Sequence, residues 1–280
     1  DSFLTRDYSG RLERTKGDYA LLFPCRYLPR MHNLSDIVES LRTANRLSWR
    51  NEAVRQLAVQ ITLMLHILNE KGYVYPELCV SKMYASRFAI SQDGNTLYMD
   101  FSPLIFSVRE ADSAENHILG GTDIQAEEYP LDFAEPAVAL AVNRGVTPPE
   151  NARLRRRLDV RAQNYSLTAL LFYLFMGRHA YDGRLMSGRA DDSIQTHYWN
   201  YKNYYIQSPA FIFDYEDAYD NDIGDFSEDK AILELWESCP KRLKELFQRT
   251  LVWDNALHIT NEENPSPEVW IEEFRRLDWC

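Results

Sequence analysis

The chain has 280 residues, 45% of them hydrophobic and 26% charged, enough to bury a sizeable core in one large domain or two modest ones. Its net charge of −11 disfavours non-specific binding to nucleic acid, because an acidic surface repels phosphates. No run of 18 apolar residues offers a membrane span, and the four cysteines (Cys25, Cys79, Cys239, Cys280) form no C-x-x-C pair, which argues against a zinc site or a disulfide framework and fits a reducing cytoplasm.

In chain order, Asp1 to Asp18 is polar and lacks clear periodicity. Tyr19 to Phe23 is a short apolar run stopped by Pro24 and reads as a buried strand. Asn33-Leu34-Ser35-Asp36 looks like a helix start, with Asn33 or Ser35 able to cap free backbone N–H groups. A long helix is expected from about Ser48 to Lys71. Val54, Leu57, Ala58, Ile61, Leu65 and Leu68 recur there mostly at spacings of three and four, and Gly72 ends it. Tyr73 to Leu78 reads as a compact turn. Two strand candidates follow, Met83 to Ile90 and Thr96 to Met99, joined by a hairpin turn at Ser91 to Asn95.

Residues 102–158 read as irregular, broken by Gly120-Gly121 and Pro148-Pro149. A helix apolar on most faces runs from about Ser166 to Met176, ends at Gly177 and belongs at the centre of a domain. Residues 178–227 read as loop, rich in Tyr and acidic. Helices follow over about Glu228 to Leu251, with a break at Pro240, and over Pro267 to Leu277, where Ser266 offers a cap and Pro267 the first helical position. The expected class is mainly α with a small β component.

This order of elements resembles a protein kinase from its fifth strand onward. Kinases carry a catalytic loop H-R-D-L-x-x-x-N after a long helix, then a hairpin, then D-F-G. Here Tyr75-Pro76-Glu77-Leu78-Cys79-Val80-Ser81-Lys82 occupies the loop and Asp100-Phe101-Ser102 the later triplet. The stretch Gln163-Asn164-Tyr165-Ser166-Leu167, running on to Gly177-Arg178-His179-Ala180-Tyr181, is similar to the buried helix of the kinase large lobe. Together with Pro209 to Asp214 and Pro265 to Trp270, it looks like a bacterial kinase-like subgroup. The resemblance spans roughly Tyr19 to Leu277. It implies a helical C-terminal lobe over residues 31–280, with residues 1–30 as the remnant of a reduced or missing N-terminal lobe and hinge.

The same resemblance shows what the catalytic positions have become. Only 18 residues precede the strand at Tyr19 and they hold no G-x-G-x-x-G, so no phosphate cradle is expected within these residues. Glu77 stands in the position of the catalytic Asp. Its extra methylene displaces the carboxylate by ~1.5 Å, an error that can cost on the order of a hundredfold in rate. Lys82 stands in the position of the metal-binding Asn, and an ammonium has no lone pair for Mg²⁺. Asp100 keeps the metal-ligand position. Ser102 replaces the permissive glycine after it. Tyr84 falls where an aliphatic adenine floor is expected and would fill the base pocket, and Phe23 and Cys25 are the strand and hinge positions lining that pocket. Ala134-Glu135-Pro136 alters the order of the A-P-E string, and Asn264 replaces its Arg partner, so that ion pair is expected to be lost from both sides. Gln163 takes the place of the buried Asp that anchors the loop.

With these substitutions the resemblance implies a pseudokinase-type module for binding protein partners in cytoplasmic signalling, with no cofactor. The alternative is a divergent active serine/threonine kinase, transferring a phosphoryl or nucleotidyl group from ATP with Mg²⁺ through Glu77 and Asp100. A fold without a hairpin between Lys82 and Asp100 would favour an unrelated helical interaction protein instead. Other candidate chemistry is weaker. Asp214 to Asp229 holds eight carboxylates; its part from Asp214 to Asp225 lacks the spacing of a Ca²⁺ loop and reads as an exposed acidic loop. Arg153 to Arg157, with four arginines, reads as a solvated loop, and the six histidines show no metal-ligand spacing.

Overall fold

Helices account for most of the residues that the computed structural model describes, which are 4–6, 12–14, 32–45, 47–75, 78–80, 83–85, 97–99, 105–106, 133–136, 160–186, 200, 202–214, 221–224, 229–252 and 264–280. The chain divides into two compact units, Asp1–Arg30 and Met31–Cys280. In the first, β1 (Leu4–Arg6) pairs antiparallel with β2 (Leu12–Arg14), with Thr5 opposite Glu13. Three residues per strand are too few to leave a visible alternation, which is why this segment reads as featureless in sequence. The expected strand at Tyr19 to Phe23 lies outside the described residues.

The second unit opens with β3 (His32–Asn33) and α1 (Leu34–Thr43). Asn33 is the N-cap, and its side-chain oxygen accepts from the Ser35 backbone N–H at 2.9 Å. The long helix α2 spans Glu52–Glu70. It starts four residues later than its periodicity suggests, because Asn51 caps it through the Ala53 N–H and Ser48 makes its own turn with the Arg50 N–H. Then come β4 (Tyr73–Val74), β5 (Met83–Ala85), β6 (Leu97–Met99) and β7 (Ile105–Phe106). β3, β5 and β6 form one antiparallel sheet, and β4 pairs with β7 in another. The hairpin is thus present in shortened form, its turn falling outside the described residues. Tyr73–Val74 is a strand and not part of a turn, and its partner lies in a stretch expected to be irregular.

The buried helix α3 spans Val160–Met176 and begins six residues before its apolar run. Gly177 ends it with φ of +68°, donating its N–H to the Tyr173 carbonyl at 2.8 Å. A Cβ there would lie 2.2 Å from the Leu47 side chain. A π-helical turn, Lys202–Gln207, interrupts the region expected to be loop. That region also supplies core: Tyr181, Phe211, Ile212 and Phe213 are buried. α4 (Asp229–Ser238), α5 (Lys241–Leu251) and α6 (Pro267–Arg276) complete the unit, with Pro240 at the N-cap of α5 and Pro267 opening α6. Ser266 sits at the N-cap of α6 without a side-chain capping bond.

α2 packs on α6 and on α3, and α3 on α5 and α4. His66 of α2 reinforces the first contact at 2.9 Å from Glu268. Phe172 lies at the centre, edge-on to Phe211, Phe213 and Phe247, while Phe213 stacks on Trp236 at 4.3 Å. Within the acidic stretch Asn221 and Ile223 are buried, which corrects the exposed loop at this point, and Asp229 is buried at the start of α4. Asn221 donates to the carbonyls of Tyr181 and Ala210, and Asp229 binds Arg178 at 2.6 Å and the Gly224 N–H at 3.0 Å. Burial of these two groups is sustained by their partners. Among the described residues, no helix is long and apolar enough to cross a membrane.

Candidate functional site

The loop that follows β4 is held from beneath by one side chain. Gln163, in the second turn of α3, is fully buried. Its Oε1 accepts from the Tyr75 backbone N–H at 2.8 Å, and its Nε2 donates to Asn69 Oδ1 at 3.1 Å. One neutral carboxamide therefore ties the last turn of α2, the start of the loop and the start of α3. A glutamine can do this because it carries an acceptor and a donor on one rigid plane. Tyr75, Leu78, Cys79 and Met83 are all buried, so the apolar side of the loop is fixed into the core.

The sequence-predicted site residues stand around this frame. The register pairs Met83 with Met99, the residues next to Lys82 and Asp100 in the chain. Tyr84 lies mid-hairpin, its backbone opposite Tyr98 on one side and Asn33 on the other. Glu77, Lys82, Asp100, Phe23 and Cys25 lie outside the described residues, as do Phe101, Ser102 and the side chain of Tyr84. What the structure brings together is thus the loop's support: β4 with β7 before it, β5 with β6 after it, and Gln163 below.

A second group lies at the N-terminal end of α3. The expectation that the Glu135 ion pair is lost is corrected. Glu135 is buried, and its carboxylate lies 2.8 Å from the Arg161 guanidinium. Asn264 instead makes amide bonds: its Nδ2 donates to the Arg161 carbonyl at 3.3 Å, and its own carbonyl accepts from Asn164 Nδ2 at 3.4 Å. Arg161, and not position 264, supplies the counter-charge of the buried carboxylate. Sequence proximity could not reveal this, because Glu135 and Arg161 are joined through an intervening stretch without a readable pattern.

A third group was not singled out in the sequence. Phe133 packs edge-on against Tyr173 and His179, and His179 stacks on Tyr205 of the π-helical turn at 4.5 Å. His179 keeps partial exposure, but its ring is enclosed by these aromatics and Tyr181. Burial pushes its pKa down to about 3, leaving the imidazole neutral near physiological pH. The hydroxyls of Tyr165 and Tyr181 bond to one another, and Tyr181 donates on to the Leu251 carbonyl at 3.2 Å. Burial raises both phenols well above their usual range, so both stay neutral. Neither the histidine nor the two tyrosines has the free, polarised environment of a general acid or base. Among the described residues, no group of three or more His, Cys, Asp or Glu side chains is placed to hold a metal ion.

No protein-family model matches this chain, and no curated protein matches it significantly.

Proposed function

We propose that this chain is a pseudokinase-type binding module: the large lobe of a protein-kinase-like fold, kept as a scaffold for protein partners in cytoplasmic signalling. The observation that carries the reading is the Gln163 anchor. In the family that the sequence resembles, a buried Asp from the central helix holds the backbone of the catalytic loop. Here a buried amide from the corresponding helix accepts from the Tyr75 N–H at the matching loop position. The hairpin between Lys82 and Asp100 and the pairing of β4 with β7 on either side of that loop support the same architecture. The Glu135–Arg161 pair supports it further, since a kinase-like lobe needs a cation beside that carboxylate.

The inactivity rests on side-chain chemistry. Lys82 cannot ligate Mg²⁺, and Glu77 carries its carboxylate one methylene too far. A neutral anchor agrees with these changes. It preserves the loop's course without placing a buried charge beneath it, as suits a loop kept for its shape.

Thermal denaturation with ATP, with and without Mg²⁺, tests the reading. A ligand that binds only the folded state raises Tm by mass action. The expected result is no shift at millimolar ATP. A Mg²⁺-dependent rise abolished by Asp100→Asn would replace the scaffold with the divergent kinase, and loss of transfer in Glu77→Gln would complete that case.

A further inference from the structure

We propose that His179 is an acid-sensitive latch, which holds the π-helical turn Lys202–Gln207 against the end of α3 while its imidazole is neutral and releases the turn when the imidazole takes up a proton. The ring stands where three parts of the chain meet. It stacks on Tyr205 of the turn, with ring centres 4.5 Å apart and planes 22° apart, and Phe133 stands edge-on to it at 5.3 Å. Tyr181 packs beside it at 5.7 Å and is itself edge-on to Tyr205 at 5.8 Å. Phe133 carries the cluster on to Tyr173 of α3. Six residues are too few for a helix to stand by itself in water, so the turn depends on what it packs against.

Hydrogen bonding fixes the charge state of the ring. The Tyr181 backbone N–H donates to His179 Nδ1 at 3.4 Å, so Nδ1 is an acceptor and the proton of the neutral ring is on Nε2. A second proton has to enter at Nδ1, where it displaces that bond and opposes the N–H. It also sets a cation among aromatic rings that exclude most of its water. Attraction to the Tyr205 face offsets a part of this cost, and the balance holds the pKa at about 3. The groups that face the ring are phenols: Tyr173 from α3, Tyr181 from its own turn and Tyr205 from the π-helical turn. Phenols titrate near 10. The charged residues close to the cluster are engaged elsewhere, Arg178 with Asp229 at 2.6 Å and Glu135 with Arg161 at 2.8 Å.

The sign of the pH effect follows. A group that is neutral in the closed form and protonated in the open form favours opening as pH falls below the ordinary imidazole value of about 6.5, by up to about tenfold per pH unit. The latch is fully engaged above that value and weakens from there down to about 3. Opening carries Tyr205 and the buried Ile206 into water, which keeps the neutral latch shut. Release also has a fixed end. Ala210 donates its N–H to the Tyr204 carbonyl at 3.3 Å, and two residues on, the Ile212 N–H donates to the Ala180 carbonyl at 3.0 Å. Phe211 and Phe213 are buried against Phe172, so the chain opens as far as Ala210 and stays held from Phe211 onward.

The latch does not depend on the binding-module reading or on the ATP result. Hydrogen exchange of the full chain at pH 7 and pH 5 tests it, with rates corrected for the intrinsic effect of pH. Ordinary carboxylates titrate near 4 and stay ionised over most of this range. Protection of the Ala210 amide should fall about twentyfold between the two values. At pH 5 Ala210 should exchange at least about tenfold ahead of Ile212. His179→Phe keeps an aromatic plate in the stack and removes the titration, so its Ala210 protection should change by less than about threefold. The proposal is overturned by an equal pH response in that variant, or by one common protection factor for Ala210 and Ile212, which would make the opening global. If His179→Phe does not fold, NMR titration of the unmodified chain decides. A His179 midpoint well below 6 supports the latch, and one at 6 or above overturns it.

Discussion

The two halves of α3 are both largely buried and do different work. From Leu170 to Met176 the helix offers apolar and aromatic side chains, and Phe172 meets Phe211, Phe213, Phe247 and Trp236. From Arg161 to Asn164 it offers polar side chains that reach Glu135, Tyr75, Asn69 and Asn264. Burial of the first kind is favourable in itself, at roughly 25 cal/mol per Å² of apolar surface. Burial of the second kind roughly breaks even once desolvation is offset by hydrogen bonds. The difference teaches that one end of the helix supplies cohesion and the other supplies position. Substitutions can separate the two.

The largest effect is expected at the aromatic end. Phe172→Ala removes the ring at the centre of the core and should cost about 3–5 kcal/mol, from lost transfer energy together with the cavity left behind. In urea unfolding the midpoint should fall with an unchanged slope, because the whole unit loses stability together. A loss confined to the loop at Tyr75 to Val80, seen by hydrogen exchange, would break the comparison.

The division also explains what could be seen in the sequence. The apolar end of α3 was legible as a run. α2 was legible as a stripe at spacings of three and four. Asn33, Pro240 and Pro267 marked helix starts or breaks through local chemistry. The polar end of α3 was not legible as helix, because Gln163 and Asn164 gain their partners from residues about 90–100 positions away in the chain. β4 and β7 have two residues each, too short for any period, and only their pairing defines them. The burial of Asn221 and Asp229 was hidden by the carboxylates around them, since net composition does not reveal which polar side chains find partners. Of the candidate site, Gln163 was singled out in the sequence as a residue beneath the loop, while the pairing of Glu135 with Arg161 required three dimensions.

The ion pair supplies the next effect. Arg161→Ala removes the cation beside a buried carboxylate. A fully buried pair broken in this way loses about 3–5 kcal/mol, and the partial exposure of the Arg161 side chain lowers the expectation to about 2–3 kcal/mol. Adding Asn264→Arg in that background returns a cation to the position where a kinase-like lobe would carry it. About half of the loss should be recovered in the urea midpoint. Recovery of nothing would mean that position 264 is not equivalent to the family's arginine, and would weaken the kinase-like placement of α6.

The smallest and most selective effect is expected at Gln163. Gln163→Leu keeps similar volume and removes the acceptor of the Tyr75 N–H and the donor to Asn69. Leucine regains part of the loss through apolar burial, so the net cost should be about 1–2 kcal/mol, below that of Phe172→Ala. The distribution of that cost matters more than its size. The Tyr75 amide should exchange faster by at least about tenfold, since 1.4 kcal/mol of local opening corresponds to one decade. Amides of α5 and α6 should keep the rates set by global unfolding. If they accelerate equally, Gln163 is one more core residue and α3 has no positioning end. If Tyr75 alone responds, the carboxamide acts as the loop's anchor. Gln163→Asp, which places a carboxylate on a shorter side chain, then tests whether reach or charge decides the anchor. Failure of the aspartate to slow exchange at Tyr75 would assign the difference to reach.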